Sequence, residues 1–110
     1  MNLDETIAKL NLLDPASVAA LSDIADERLR QIEIEGWSAS HDDEHSKGEL
    51  AVAGACYALE PHTPKGKEGT APSIWPWDKS WWKPKSAHSN WVRGAALIVA
   101  ELAKRYRSAP

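Results

Sequence analysis

Several features that define common classes of protein are missing from this 110-residue sequence. It has a single cysteine, so it cannot form a disulfide framework within the chain. Its formal net charge of -3 lacks the basic excess that is typical of domains binding nucleic acid without sequence preference. We therefore expect a chain that folds in a reducing compartment and has no generic DNA-binding activity.

Long hydrophobic runs are absent as well. No apolar stretch reaches the roughly 18 residues that a membrane span requires. The amino-terminal sequence MNLDETIAKL lacks the basic and continuously apolar segments of a signal peptide. These absences predict a cytoplasmic protein with no membrane partner, and the length is sufficient for a single domain over residues 1–110 with a modest core.

The hydrophobic pattern predicts helices and no convincing strand. A short helix is expected within residues 1–13, and Asp14-Pro15 can then cap and open a second helix over residues 15–35, for which Gly36 is the natural stop. Apolar residues recur along the second helix at three- and four-residue steps and predict an amphipathic core helix: Val18, Leu21, Ala25, Leu29 and Ile32.

Two further core helices are expected. Ser46 and Glu49 match a capping box, which predicts a helix over residues 47–59 whose apolar and small side chains, Cys56 included, occupy the centre of the core. The last helix, over residues 87–107, is expected to bury one stripe: Val92, Ala95, Ala96, Val99, Leu102, Ala103 and Tyr106. The sequence thus predicts an all-α bundle of three to four helices.

A long loop over residues 60–86 is expected before the last helix, because it is rich in Pro and Gly and has no hydrophobic period. It contains four of the six tryptophans. These indoles can fold back as a lid over the core, or they can stack on a nucleotide base beside lysines that hold phosphate. We expect them to divide between the two roles, and the candidate ligand-binding residues of the loop are Trp75, Trp77, Trp81, Trp82, Lys83 and Lys85.

Residues 36–50, GWSASHDDEHSKGEL, concentrate histidines and carboxylates. Such a mixture suits zinc, manganese or iron, and the candidate ligands are His41, Asp43, His45 and Glu49. Capping, loop hydrogen bonds or contact with another subunit are the favoured alternatives, since Glu49 already has a capping role and no H-E-x-x-H motif is present. We therefore expect no metal or other cofactor. In the expected binding site Trp37 stacks on the ligand, and the residues that form the wall or accept hydrogen bonds are His41, Asp42, Asp43, His45 and Glu49.

Polar residues of the second helix complete the expected site. Arg28 and Gln31 can line the same cleft, with Arg28 holding phosphate, although Arg28 can equally pair with a carboxylate on its own surface. The set offers stacking faces and charges but no nucleophile, and no catalytic residue is assigned. It favours the binding of a phosphorylated or cyclic nucleotide without catalysis.

An enzymatic alternative is a metal-dependent nucleotide pyrophosphohydrolase of the all-α MazG type. Such enzymes hold magnesium through an E-E-x-x-E run on one helix and an E-x-x-D pair on the next. The candidate carboxylates here do not reproduce that pattern: Glu27, Glu33, Glu35, Glu49 and Glu101.

Three motifs in succession resemble those of a group of small proteins encoded by tailed phages and prophages. They are ERLRQIEIEGW at residues 27–37, HDDEHSKGELA at residues 41–51 and WPWDKSWWKP at residues 75–84, and the likeness covers roughly residues 23–105. The chain departs from the group at residues 86–90, SAHSN, where a basic run often opens the last helix. That departure weakens any phosphate site at this helix start.

The resemblance implies no settled activity, but it does imply a setting. Small phage accessory proteins in the host cytoplasm frequently counter host defence, either by capturing a nucleotide signal or, like anti-CRISPR proteins, by binding a host defence protein. A homo-oligomer is also expected, because a bundle of this size with six tryptophans can bury some of them between chains.

Overall fold

A computed structural model describes residues 1–62 and 70–109, and its regular structure in these ranges is entirely helical. Single 3-10 turns cover Leu10–Leu12, Glu60–His62 and Lys79–Trp81. The α-helices are α1 at Leu3–Lys9, α2 at Pro15–Glu33, α3 at Ala39–Asp43, α4 at Glu49–Leu59 and α5 at Ala87–Ser108. The predicted small all-α bundle with a Trp-rich loop before its last helix is confirmed; residues 63–69 of that loop and Pro110 lie outside the described residues.

The described ranges contain no helix with the length and apolar character needed to cross a membrane.

Local signals set both ends of α2. The Asp14 carboxylate accepts a hydrogen bond from the Ser17 amide at 2.9 Å, and Pro15 occupies the first helical position. At the other end Gly36 adopts a φ of 74°, and the Trp37 amide donates to the Gln31 carbonyl at 2.9 Å. The predicted cap and stop are therefore confirmed, and they place Trp37 immediately beyond the helix.

The capping box predicted at the start of α4 is wrong. The helix begins at Glu49, and its carboxylate accepts from the Lys47 amide instead of the Ser46 amide. The preceding residue, Gly48, has φ 77° and ψ 16°, which is a left-handed conformation that glycine adopts without steric cost. A left-handed residue cannot continue an α-helix, so Gly48 sets the boundary.

The core is built around the crossing of α4 and α5. A Cβ atom added at Gly54 would lie 2.7 Å from the Gly94 carbonyl oxygen, and one added at Gly94 would lie 2.6 Å from the Gly54 carbonyl oxygen. The two backbones are therefore in direct contact. Around the crossing the loop contributes two indoles, and the main buried residues are Leu50, Ala53, Cys56, Tyr57, Trp75, Trp82, Leu97 and Ala100. Burial raises the pKa of the Cys56 thiol, consistent with its predicted core role.

Gly94→Ala is expected to destabilise the protein by about 1 to 3 kcal/mol, because the new methyl group would overlap the Gly54 carbonyl. This sign is diagnostic, since glycine-to-alanine changes inside helices ordinarily stabilise by up to about 1 kcal/mol. Urea denaturation measures the effect. Ala95→Gly in the same helix is the control and should show the ordinary cost of glycine; a gain in stability for Gly94→Ala would contradict the backbone contact.

The buried stripe predicted for α5 is largely wrong. Of its members only Ala96 is buried, whereas Val99, Leu102 and Tyr106 are exposed. The helix instead buries Asn90, Gly94, Ala96, Leu97, Ala100 and Glu101. The reason is steric: close approach to α4 requires the face that carries Gly94, so the bulkier aliphatic residues point elsewhere.

The orientation of α2 also differs from expectation. Its only buried residue is Gln31, and the helix packs on α5 through polar side chains such as Glu27, which lies 4.0 Å from the Arg93 guanidinium. The stripe predicted to face the core is exposed: Val18 at 46%, Leu21 at 49%, Leu29 at 52% and Ile32 at 46%. Burial of this stripe within the protomer is therefore not observed, because α5 meets the opposite face of the helix.

Candidate functional site

Two of the four loop tryptophans belong to the core. Trp75 and Trp82 are 9% and 7% exposed, and their ring centroids lie 4.9 Å apart in an edge-to-face contact. Tyr57 stacks on Trp82 at 4.7 Å, and its hydroxyl accepts from the Lys83 amide at 3.2 Å. These contacts fasten the loop to α4.

The next turn brings one of the other two indoles to the surface. The Asp78 carboxylate accepts from the Ser80 amide at 2.9 Å and caps a short 3-10 turn, while the Trp75 indole N–H donates to the Asp78 carbonyl at 3.1 Å. Because of this turn, Trp81 is 57% exposed although its neighbour Trp82 is buried. Trp77 is partly buried and packs edge-to-face on Trp75. Two of the four loop tryptophans therefore complete the core, and Trp81 is the one that is exposed.

Trp77 and Trp81 border an open cavity of about 340 Å³, here called the aromatic cleft. Its lining residues are Trp37, His41, His45, Leu50, Trp77, Asp78 and Trp81. Five of these seven carry an aromatic ring, and Asp78 provides the one carboxylate. The cleft therefore combines flat stacking surfaces with a hydrogen-bond acceptor.

One wall of the aromatic cleft is a row of rings in contact. Trp37 stacks on His41 with centroids 5.8 Å apart and planes at 7°, His41 meets His45 at 5.3 Å, and His45 meets Trp77 at 5.2 Å. The five-residue helix α3 supplies His41, and its start is capped by the Ser38 hydroxyl, which accepts from the His41 amide at 3.2 Å. The motif at residues 36–50 therefore serves mainly to build this wall.

Three of the predicted ligand-binding residues, Arg28, Gln31 and Asp42, lie behind this wall. They line neither the aromatic cleft nor the second cavity described below. Arg28 donates to Gln31 Oε1 at 2.8 Å and to Asp42 Oδ2 at 3.3 Å, and His41 Nδ1 lies 3.2 Å from Asp42 Oδ1. Asp42 and Gln31 are both fully buried. Arg28 is thus the partner of the buried Asp42 carboxylate, and Asp42 in turn holds His41 in place.

A second cavity of about 200 Å³, here called the basic cleft, adjoins the first. It shares Trp37, Trp77 and Trp81 with the aromatic cleft, and its cationic lining residues are Arg30, Lys83, Lys85 and Arg93. Sequence reasoning identified the two lysines but missed Arg30 and Arg93. The only available signal was the position of Arg30 inside the E-R-x-R-Q motif and of Arg93 beside Gly94.

The four cations differ in how many hydrogen bonds and ion pairs they already make within the chain. Arg30 binds the carboxylates of Glu27 and Glu35, each at 2.7 Å, and these bonds raise the pKa of its guanidinium. Arg93 donates to the Tyr57 hydroxyl and to the Lys83 carbonyl, both at 3.3 Å. Lys83 and Lys85 are exposed, and their ammonium groups have no ion pair among the described residues. The lysines are therefore the cations best able to take a new anion.

Of the four candidate metal ligands, Asp43 is drawn away by Arg107, whereas His45 contacts both His41 and Glu49. Arg107 binds Asp43 at 2.7 Å and lowers the pKa of that carboxyl, which lies at the far end of α5 from the Trp loop. Burial raises the pKa of Glu49, but bonds from the Lys47 amide and from His45 at 3.4 Å outweigh it and leave the pKa lowered. His41 and His45 face the aromatic cleft. In the part of the chain that the structure describes, no three His, Cys, Asp or Glu side chains are grouped so as to hold a metal ion.

Chemically, the two clefts offer an aromatic compartment that includes Asp78 beside a compartment lined by four cations and one carboxylate, that of Glu35. The described lining of the aromatic cleft contains no serine, threonine or cysteine that would serve as a nucleophile. Comparison of the chain with models of known protein families, with curated proteins and with solved structures yields no match in any of the three.

Proposed function

We propose that the protein binds a phosphorylated nucleotide, with the base in the aromatic cleft and the phosphate in the basic cleft. The observation that carries this proposal is that the two clefts share the walls formed by Trp37, Trp77 and Trp81. The two compartments are therefore adjacent, and the proposed ligand has an aromatic end for one and an anionic end for the other. Each stacked base contributes about 1 to 3 kcal/mol to binding.

The dimensions favour a single nucleotide. A volume of about 340 Å³ is close to the lower end of the range for small-molecule sites, about 300 to 1,000 Å³. One base with its sugar suits such a compartment better than two stacked bases do. A nucleoside monophosphate or polyphosphate, or a cyclic mononucleotide, is the ligand class that we propose.

Asp78 supports a preference for bases with amino groups. Bonds from Ser80 lower the pKa of the Asp78 carboxyl, so at neutral pH it is ionised and can only accept hydrogen bonds. Only part of its accepting capacity is used by the Ser80 amide. The remaining lone pairs suit the exocyclic amino group of adenine, cytosine or guanine.

The proposed role is capture without chemical conversion. The two histidines of the aromatic cleft are engaged with neighbours, His41 with Asp42 and His45 with Glu49, and these contacts fix the rings as walls. A capture protein needs preorganised faces and charges, which this site has. On the basis of the resemblance to phage proteins, the proposed ligand is a nucleotide signal of the host cell, and the proposed place of action is the host cytoplasm.

A host defence protein is the second candidate partner. Trp81, at 57% exposure, presents a large amphipathic ring at the surface, and tryptophan is among the residues that most often anchor protein interfaces. Under this alternative the rim of the aromatic cleft would bind a side chain of the partner instead of a base.

A thermal-shift panel of mononucleotides, cyclic nucleotides and nucleosides, run with and without divalent metals, tests the proposal. At least one phosphorylated nucleotide is expected to raise the melting temperature, because ligand binding stabilises only the folded state, and chromatography should recover it unchanged. Conversion of the nucleotide would support a pyrophosphohydrolase, and the absence of any response would support a protein partner; either result overturns nucleotide capture.

The double variant Lys83→Ala/Lys85→Ala locates the phosphate. It is expected to weaken binding of the phosphorylated nucleotide about three- to tenfold and to leave the affinity for the corresponding nucleoside unchanged, since exposed ion pairs contribute up to about 1 kcal/mol each. Isothermal titration calorimetry measures both affinities. Lys79→Ala is the matched control, because Lys79 lies in the same loop but lines neither cleft. An equal loss for nucleoside and nucleotide would contradict phosphate binding here.

A further inference from the structure

The exposed face of α2 carries a continuous apolar stripe. Steps of three and four residues bring its members onto one side of a helix. The stripe contains no charged residue, and it extends for roughly 20 Å at about 1.5 Å per residue. Its members are Val18, Leu21, Ala25, Leu29 and Ile32, all of which are exposed.

This orientation is the reverse of that of an ordinary surface helix, which buries its apolar side and exposes its polar side. The interior side of α2 carries Gln31, which is fully buried, and Glu27, which accepts hydrogen bonds from both Arg30 and Gln31. Contact with α5 therefore satisfies polar groups and leaves the aliphatic ones in solvent. The outer side of α2 is therefore an uncovered apolar face.

The helix α1 provides a second, independent observation. None of its residues is buried, and its aliphatic side chains are exposed, Ile7 by 58% and Leu10, which follows it, by 42%. Isolated helices of this length are unstable in water, so a seven-residue helix depends on packing. The described residues of the same chain bury none of its side chains.

The chain as a whole exposes more surface than a compact monomer of its mass, enough to accommodate an interface. The protein exposes 7735 Å², whereas a compact monomer of 12.1 kDa exposes about 6,000 Å². Its radius of gyration, 15.2 Å, likewise exceeds the value of about 13 Å expected for 110 residues. The excess of about 1,700 Å² is larger than the roughly 800 Å² that each partner contributes to a stable interface of standard size.

We propose that a second copy of this chain covers the stripe, in a twofold-symmetric dimer in which α2 packs on α2 near Ala25. A twofold axis brings identical residues towards each other, which would be unfavourable for a charged face but suits an uncharged one. Ala25 lies in the middle of the stripe and is its smallest residue, so the two helices can approach closely there. The exposed residues of α1 add to the buried area. This dimer does not depend on the proposed ligand.

Sedimentation equilibrium of the full chain tests the dimer. The expected mass is about 24 kDa, twice the 12.1 kDa of one chain, and Leu29→Glu is expected to weaken association at least about a hundredfold by placing two carboxylates at the interface. Ile74→Glu is the matched control, since Ile74 is 58% exposed but lies outside the stripe. A wild-type mass of 12.1 kDa, or unchanged association of Leu29→Glu, would overturn the proposal.

A second variant covers the case in which Leu29→Glu fails to fold without its partner. Ala25→Cys should form a disulfide between chains under mild oxidation, because the two copies of residue 25 face each other across the axis. Ile74→Cys should remain uncross-linked, and the native Cys56 is buried. Failure of Ala25→Cys to cross-link beyond the level of Ile74→Cys would rule out the axis near Ala25.

Discussion

Trp81→Ala is expected to weaken nucleotide binding about 5- to 150-fold and to change the free energy of unfolding by no more than about 1 kcal/mol. Trp82→Ala, at the adjacent position, is expected to have the opposite profile, with a loss of about 3 to 5 kcal/mol of stability. The physical reason is that Trp81 is 57% exposed on the aromatic cleft, whereas Trp82 is 7% exposed and stacks on Tyr57.

Calorimetric titration and urea denaturation of the same two variants measure both quantities. Each variant is the control for the other, because the two remove the same side chain one position apart. Affinity would be judged only under conditions where Trp82→Ala is still folded. If Trp81→Ala binds nucleotide as tightly as the wild type, the aromatic cleft is not the place where the base stacks.

Asp42→Ala is expected to destabilise the protein by about 3 to 5 kcal/mol, because it leaves the Arg28 guanidinium buried without its carboxylate. The Asp42 side chain is 1% exposed and that of Arg28 is 15% exposed. Asp43→Ala is the neighbouring control, since Asp43 and its partner Arg107 lie at the surface, and its urea midpoint should stay close to that of the wild type.

A double-mutant cycle distinguishes loss of the pair from loss of the carboxylate alone. Arg28→Ala/Asp42→Ala should be less destabilised than the sum of the two single variants, because the double variant leaves no unpaired buried charge. Additive losses would show that Arg28 and Asp42 act independently. Since Asp42 also contacts His41, the single variant is expected to reduce ligand affinity as well.

The ends of α2 could be predicted because their causes are local. Asp14 and Pro15 act on the first turn, and Gly36 acts on the last. The start of α4 was predicted wrongly for an equally local reason: Gly48 could either continue a helix or adopt a left-handed conformation. The capping-box pattern cannot distinguish the two.

The buried faces of the helices could not be read from periodicity. Periodicity identifies the apolar side of a helix, but the Gly54–Gly94 contact decides which side of α5 meets α4. For α2 the polar partners on α5 determine which side faces inward, and the apolar stripe is exposed. Neither preference is encoded within a single helix.

The arrangement of the candidate site also depends on contacts that the local sequence does not reveal. Four tryptophans within eight positions mark an aromatic cluster, but the capped turn at Asp78 determines that Trp81 and not Trp82 reaches the surface. The pairing of Arg28 with Asp42 joins residues fourteen positions apart, so it emerges only when α3 folds back on α2. The sequence therefore shows which residues cluster near the site. It does not show which of them line the cleft and which support the lining from behind.

The unequal exposure of the indoles gives this molecule two separate optical reporters. Trp75 and Trp82 are shielded from a dissolved collisional quencher such as acrylamide, whereas Trp81 on the aromatic cleft and Trp91 outside it are accessible. A shift of the emission maximum during unfolding will therefore follow the interior, and the part of the quenching that is lost in Trp81→Ala will follow the surface of the aromatic cleft. Intrinsic fluorescence can thus record folding and the accessibility of the cleft in one unlabelled sample.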